Sequence, residues 1–239
     1  MSGSTADRPP TVAVIHASPA SIGPARTALA EGCPEVSVWN VLDDRLVGDA
    51  EAAGGLTPAL SDRMLSLIGH AVHGGADAVL LSCSLYGPVL ERARRHHGLP
   101  LISSDAELFT EVSRRRFDRV LLLGHSVPAV RDSVDRLRRA LSATESGKRT
   151  EVTGQTAPEA ATAAARGDLD ALERSLTEAA LPYLGAVDAV ILGMFSLSPA
   201  RAALEKALGL PVLSAPPLAA RSLREQVGDR PGPSPVEAW

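Results

Sequence analysis

Short apolar runs alternate along this chain with stretches of helical period. Residues 12–15 (Val-Ala-Val-Ile), 36–39, 78–81, 99–102 and 119–123 each read as a strand followed by small or polar residues. Between them the spacing predicts helices over 24–32, from Thr57-Pro58 onward, over 88–97, from Asp105 to Arg115, and over 129–141. Thr57 suits an N-cap and Pro58 the first helical position, and Asp105 is expected to cap its own helix. The segment after Trp39, through Gly54-Gly55, reads as a polar loop. Unbroken apolar strands alternating with helices imply a parallel sheet covered on both faces, so the expected fold class is α/β.

The pattern also repeats. Asp77-Ala-Val-Leu-Leu-Ser-Cys83-Ser-Leu-Tyr-Gly-Pro88 aligns with Asp188-Ala-Val-Ile-Leu-Gly-Met194-Phe-Ser-Leu-Ser-Pro199 at an offset of 111 residues. The same offset carries Leu99-Pro-Leu onto Leu210-Pro-Val and Ser103 onto Ser214. Near the start of each half, Val-Ile-His16-Ala-Ser-Pro19 matches Leu-Gly-His125-Ser-Val-Pro128 at an offset of 109. Such a period is too long for a solenoid and marks a duplicated unit. Two similar lobes are expected, over 11–116 and 117–222, related by a pseudo-two-fold axis with the active site in the cleft between them. Residues 1–10 read as a mobile tail, and 223–239 as a helix end and a second mobile tail.

Composition narrows the chemistry. The formal charge is −4, and only seven residues are aromatic (three Phe, two Tyr, two Trp). A basic nucleic-acid face and a base-stacking platform are both disfavoured. No apolar stretch is long enough for a signal h-region or a membrane span, and the two cysteines read as free thiols, which points to a cytoplasmic protein. Lys148 and Lys206 are the only lysines. Neither sits in a buried, desolvated setting by pattern, which disfavours Schiff-base chemistry. Phosphate-binding loops, C-x-x-C, H-E-x-x-H and G-x-S-x-G are all lacking. His96-His97 and Arg114-Arg115-Arg116 read as solvated helix ends.

In a parallel α/β sheet ligands bind at the carboxyl ends of the strands. Here those ends are His16-Ala-Ser18, Asn40 with Asp43-Asp44, Ser82-Cys83-Ser84, His125-Ser126, Thr153 and Gly193-Met194-Phe195-Ser196. Hydroxyls and helix N-terminal amides suit a small carboxylate, with Ser18, Ser84, Ser126, Met194, Phe195 and Ser196 as the expected substrate-binding residues. Cys83 lies between a buried strand and a helix start, a position that lowers a thiol pKa and makes a base or nucleophile; alternatively it is one more small core residue. Cys33, in a turn, has no such setting. His16 and His125 stand at matching strand ends, as candidate acid/base groups or as loop residues bonded to backbone. Asp43-Asp44 fits a capping loop better than a metal site, and no metal is expected.

The Leu-Leu-Ser-Cys83-Ser-Leu-Tyr-Gly-Pro segment, in a duplicated α/β chain, resembles the aspartate/glutamate/hydantoin racemase superfamily, which includes arylmalonate decarboxylase and maleate isomerase. The resemblance covers about residues 11–222. It implies a cofactor-independent enzyme acting at a carbon beside a carboxyl or carbonyl group of a small carboxylate. In the racemases it resembles, one cysteine from each half flanks the substrate. The first maps onto Cys83; the second falls on Met194, whose thioether carries no proton. A symmetrical two-thiol mechanism is thereby removed. Decarboxylation with one-face protonation by Cys83 is an alternative, although that lineage keeps the second-half cysteine. A binding protein that holds a carboxylate without transforming it is another. The expected partner is a small carboxylate, with no nucleic acid and no membrane; a homo-oligomer is compatible with the chain.

Overall fold

The computed structural model describes residues 8–144 and 147–228 of the 239. Two parallel four-stranded sheets share one strand order. In the first, β1 (Thr11–His16), β2 (Ser37–Leu42), β3 (Ala78–Leu81) and β4 (Leu101–Ile102) lie in the order β2-β1-β3-β4. In the second, β5 (Arg119–Gly124), β6 (Glu151–Thr156), β7 (Ala189–Leu192) and β8 (Val212–Ser214) lie in the order β6-β5-β7-β8. The α/β class and the duplicated two-lobe architecture follow directly. The expected tails at 1–10 and 223–239 fall largely outside the described residues.

Ten α-helices are described: α1 (Ile22–Gly32), α2 (Leu46–Ala52), α3 (Pro58–His73), α4 (Val89–Ala93), α5 (Ala106–Arg115), α6 (Val127–Ser142), α7 (Glu159–Arg166), α8 (Leu169–Ala180), α9 (Arg201–Leu208) and α10 (Ala215–Gly228). Thr57 caps α3 through its side chain, which accepts from the Leu60 amide, with Pro58 in the first turn. Four expectations shift. The segment read as a polar loop contains α2, which buries Leu46 and Ala50. The helix expected over 88–97 contracts to α4, and the strand expected at 99–102 to β4. Asp105 holds the N-cap position of α5 without making the cap; Ser103 Oγ accepts from the Ala106 amide instead.

Apolar side chains form three cores. Val12, Val14, Ala78 and Leu80 of the first sheet share one with Val120, Leu122, Ala189 and Ile191 of the second. The opposite face of each sheet has its own, under α2–α4 in one lobe and α7–α9 in the other. The common core lies between the sheets and is filled by α1, α5, α6 and α10. Helix α10, last in the second repeat, packs on α1 and α5 of the first lobe. The lobes therefore dock through buried apolar surface, the strongest stabilising contribution available to such an interface.

Candidate active site

The two sheets superpose in register, and the register decides which way the strand-end side chains face. Val12 pairs with Ala78 in the first sheet, and Val120 with Ala189 in the second. With β3 and β7 matched at the repeat offset, Val12 corresponds to Val120 and His16 to Gly124, not to His125. The expected equivalence of the two histidines is thus one residue out. Strand side chains alternate between faces, so a slip of one turns a residue to the other side of the sheet. His16 follows Val12 and Val14 onto the face of the shared core, whereas Leu121 and Leu123, which precede His125, face the outer core.

His16 is fully buried in a polar trio. Its Nδ1 lies 2.9 Å from Ser82 Oγ and its Nε2 3.0 Å from Asn40 Oδ1. Asn40 Oδ1 only accepts, so Nε2 donates to it. Burial outweighs the Asn40 bond and holds the imidazole below its ordinary pKa of 6.5. Both ring nitrogens are occupied, leaving none for a ligand.

In the second lobe the three matching positions are Gly124, Gly154 and Gly193. A Cβ on Gly124 would meet Val130 Cγ2 at 2.7 Å, and one on Gly154 would meet Val130 Cγ1 at 2.7 Å and Val134 Cγ2 at 2.9 Å. Where one lobe fills the space with hydrogen-bonded side chains, the other brings α6 down onto bare backbone.

Cys83 follows β3 and is partly exposed. The expected helix start is a three-residue 3-10 turn, Ser84–Tyr86, with α4 beginning only at Val89. The amides of Leu85 and Tyr86 donate toward the sulfur, and the Arg136 guanidinium also favours the thiolate. Burial outweighs them and pushes the thiol upward, with Asp132 adding to the rise. The expected lowering is therefore reversed, because two amides of a short turn do not repay the desolvation of a charged sulfur. Buried Cys33 is pushed up to about 11 by burial and by Glu35.

Met194 stands at the corresponding place after β7, its methyl 3.2 Å from where a Gly124 Cβ would lie. Strands β5 and β7 pair through Leu123 and Leu192, and His125 and Met194 each lie two residues beyond that pair. His125 is partly exposed; burial lowers its pKa, while the charge of Glu51, from the first lobe, raises it. Ser18, Ser84 and Ser126 are partly exposed, and neither Ser18 nor Ser126 spends its hydroxyl capping the helix it precedes. Phe195, at 2% exposure, belongs to the shared core, and Ser196 is buried. Thr153 lies inside β6, whose end is Thr156. Asp43 is held by Arg63 at 2.6 Å. Among the described residues no group of three or more His, Cys, Asp or Glu could hold a metal ion.

A groove of about 530 Å³ runs between α5 and α6, lined from both lobes by Gly87, Ser103, Asp105, Phe109, Arg136 and Thr144 among others; Cys83 and Met194 lie outside its lining. The place of Arg136 in this groove was not legible, because α6 reads Val-Arg-Asp-Ser-Val-Asp-Arg-Leu-Arg-Arg, the pattern of a solvated helix face.

The chain matches the Asp/Glu/Hydantoin racemase family over residues 11–223 and belongs to it. It is accordingly an enzyme of the racemase and isomerase class. An aspartate racemase from Picrophilus torridus has the same fold, with a TM-score of 0.75 at 15% identity, covering 92% of this chain and 95% of that one. A glutamate racemase from Francisella tularensis in complex with D-glutamate gives a TM-score of 0.69 at 14% identity, covering 92% and 82%. An aspartate racemase homologue from Pyrococcus horikoshii gives 0.68 at 16% identity, covering 92% and 99%. No curated protein matches the chain in sequence. Among the described residues no helix is long and apolar enough to cross a membrane.

Proposed function

We propose that this enzyme moves a proton at the carbon beside the carboxyl group of a small carboxylate, with Cys83 on one face of that carbon and His125 on the other. What supports the reading is the order of strand ends: Cys83 follows β3, Met194 follows β7 at the repeat position of Cys83, and His125 follows β5, the strand paired with β7. Met194 cannot accept or return a proton, so the imidazole is the group that replaces a second thiol. Burial leaves the two groups in complementary resting states. Cys83 is held as the protonated thiol and His125 as the neutral base. In the forward step His125 takes the α-proton while the C–H electron pair delocalises into the carboxylate. Cys83 then returns a proton from the opposite face, and its thiolate draws on the Leu85 and Tyr86 amides. Ser18, Ser84 and Ser126, with the first amides of α6, bind the substrate carboxylate. His16 anchors the β1 end and takes no part in proton transfer. A protonated thiol also favours a second reading, in which Cys83 quenches a carbanion left by loss of carbon dioxide.

The test is proton NMR of a panel of small amino and dicarboxylic acids in deuterated water, with chiral analysis of the products. Cys83→Ala is expected to lower turnover by about 10²–10⁴-fold. His125→Gln is expected to block interconversion while leaving Cys83-dependent deuterium wash-in on one enantiomer. Carbon dioxide release would select the second reading, and full turnover by Cys83→Ala would sink both.

A further inference from the structure

Arg136 reaches out of α6, in the second lobe, into the first. Its guanidinium is bound to Asp105, and Nε donates to Asp132 Oδ2 at 2.9 Å. A longer bond runs from Nη2 to Ser133 Oγ at 3.3 Å, and the cation lies 5.7 Å from the centre of the Phe109 ring. The side chains of Arg136 and Asp105 are 10% and 9% exposed. Asp105 in turn sits against the loop that follows Cys83, its Oδ1 3.6 Å from where a Gly87 Cβ would be, and α6 packs on the Ser84–Tyr86 turn. The guanidinium serves Asp105 and Asp132, and its charge also favours the Cys83 thiolate.

We infer that Arg136 is a positioning residue through which the second lobe sets the ionisation of Cys83 in the first. The proposal rests on Cys83 as the proton carrier. One cation is shared by two carboxylates and by the thiolate formed during turnover, and without it the thiolate loses the guanidinium charge that favours it. The charged and titratable groups that face this site are Asp105 from α5, Asp132 and Arg139 from α6, and Tyr86 from the turn; Asp135 acts on Asp132. Because the aspartates compete with the sulfur for Arg136, removing one should favour the thiolate, and removing Arg136 should oppose it.

The experiment is the pH dependence of iodoacetamide alkylation of the full chain, resolved by peptide mass spectrometry so that Cys83 and Cys33 are read separately. Arg136→Met is expected to raise the Cys83 midpoint by about one pH unit or more, roughly a tenfold loss of thiolate at fixed pH. Arg136→Lys keeps the charge and should move it less. Asp132→Asn, at a position 39% exposed where folding is not at stake, should lower the midpoint. Cys33 should respond to none of them. Should Arg136→Met fail to fold, Arg136→Lys and Asp132→Asn carry the decision. Midpoints that stay put, or that move the same way for Asp132→Asn and the Arg136 variants, overturn the proposal. Alkylation needs no substrate, so failure of Cys83 as proton carrier would appear separately, in the exchange experiment.

Discussion

Gly154→Ala tests whether the bare backbone of the second lobe is what admits α6. The added Cβ would lie 2.7 Å from Val130 Cγ1 and 2.9 Å from Val134 Cγ2, where ordinary contact begins at 3.4 Å. Both neighbours are β-branched and, in a helix, held to one rotamer, so neither can swing away. The helix itself must lift by about half an ångström or more. Overpacking of this kind costs about 1–3 kcal/mol. Replacing a strand glycine returns about 0.5–1 kcal/mol of backbone entropy. The net loss is about 0–2.5 kcal/mol, or up to about 10 °C in Tm for a chain of this size. Urea denaturation at unchanged m measures it, with Gly69→Ala as the control. Gly69 lies inside α3 with nothing within 4 Å of its Cβ position and should be neutral or stabilising. Val130→Ala in the Gly154→Ala background should recover part of the loss. A Gly154→Ala protein at least as stable as the parent would refute the reasoning, as would a double variant with no recovery.

Two further outcomes follow from the same geometry. Met194→Cys puts a thiol at the repeat position of Cys83 and should add a route for α-proton exchange, read as faster deuterium wash-in; an unchanged rate on a substrate the parent turns over would mean position 194 does not face the reacting carbon. His16 is held below its unfolded pKa of 6.5, so the stability it contributes is complete above about pH 6.5 and is lost as the pH falls through its folded value. The gap in denaturation midpoint between parent and His16→Gln should accordingly be wide at pH 8 and narrower at pH 5.5, with the unchanged His125 cancelling between the two proteins; a gap independent of pH would remove His16 as an acid-sensitive element.

Much of this was legible before any coordinates. Strand β3 runs Ala78–Leu81 as its apolar run predicts, and the Thr57-Pro58 signal opens α3 where it should. These features are local: a run of four apolar residues or a capping hydroxyl acts within one turn or one strand. Helix α2 was missed because seven residues with two buried contacts carry too weak a period to stand out from a polar loop. Asp105 misled for a different reason. By position it is a helix cap, but the stronger partner is an arginine on another lobe, 31 residues away.

The sequence by itself determined the α/β class, the duplication and the family, and it set Cys83 against Met194 across the repeat. Each of these depends on residue order and spacing, which a chain carries with it. Only the tertiary structure decided that His16 matches Gly124, that the Cys83 thiol is raised and not lowered, and that Arg136 reaches Asp105 of the other lobe. The first depends on a strand register in which one residue reverses the face. The second is a balance between desolvation and a few hydrogen bonds, and its sign depends on how much protein surrounds the sulfur. The third is a contact between lobes, and a charged helix face shows its partner only once the opposite lobe is in place.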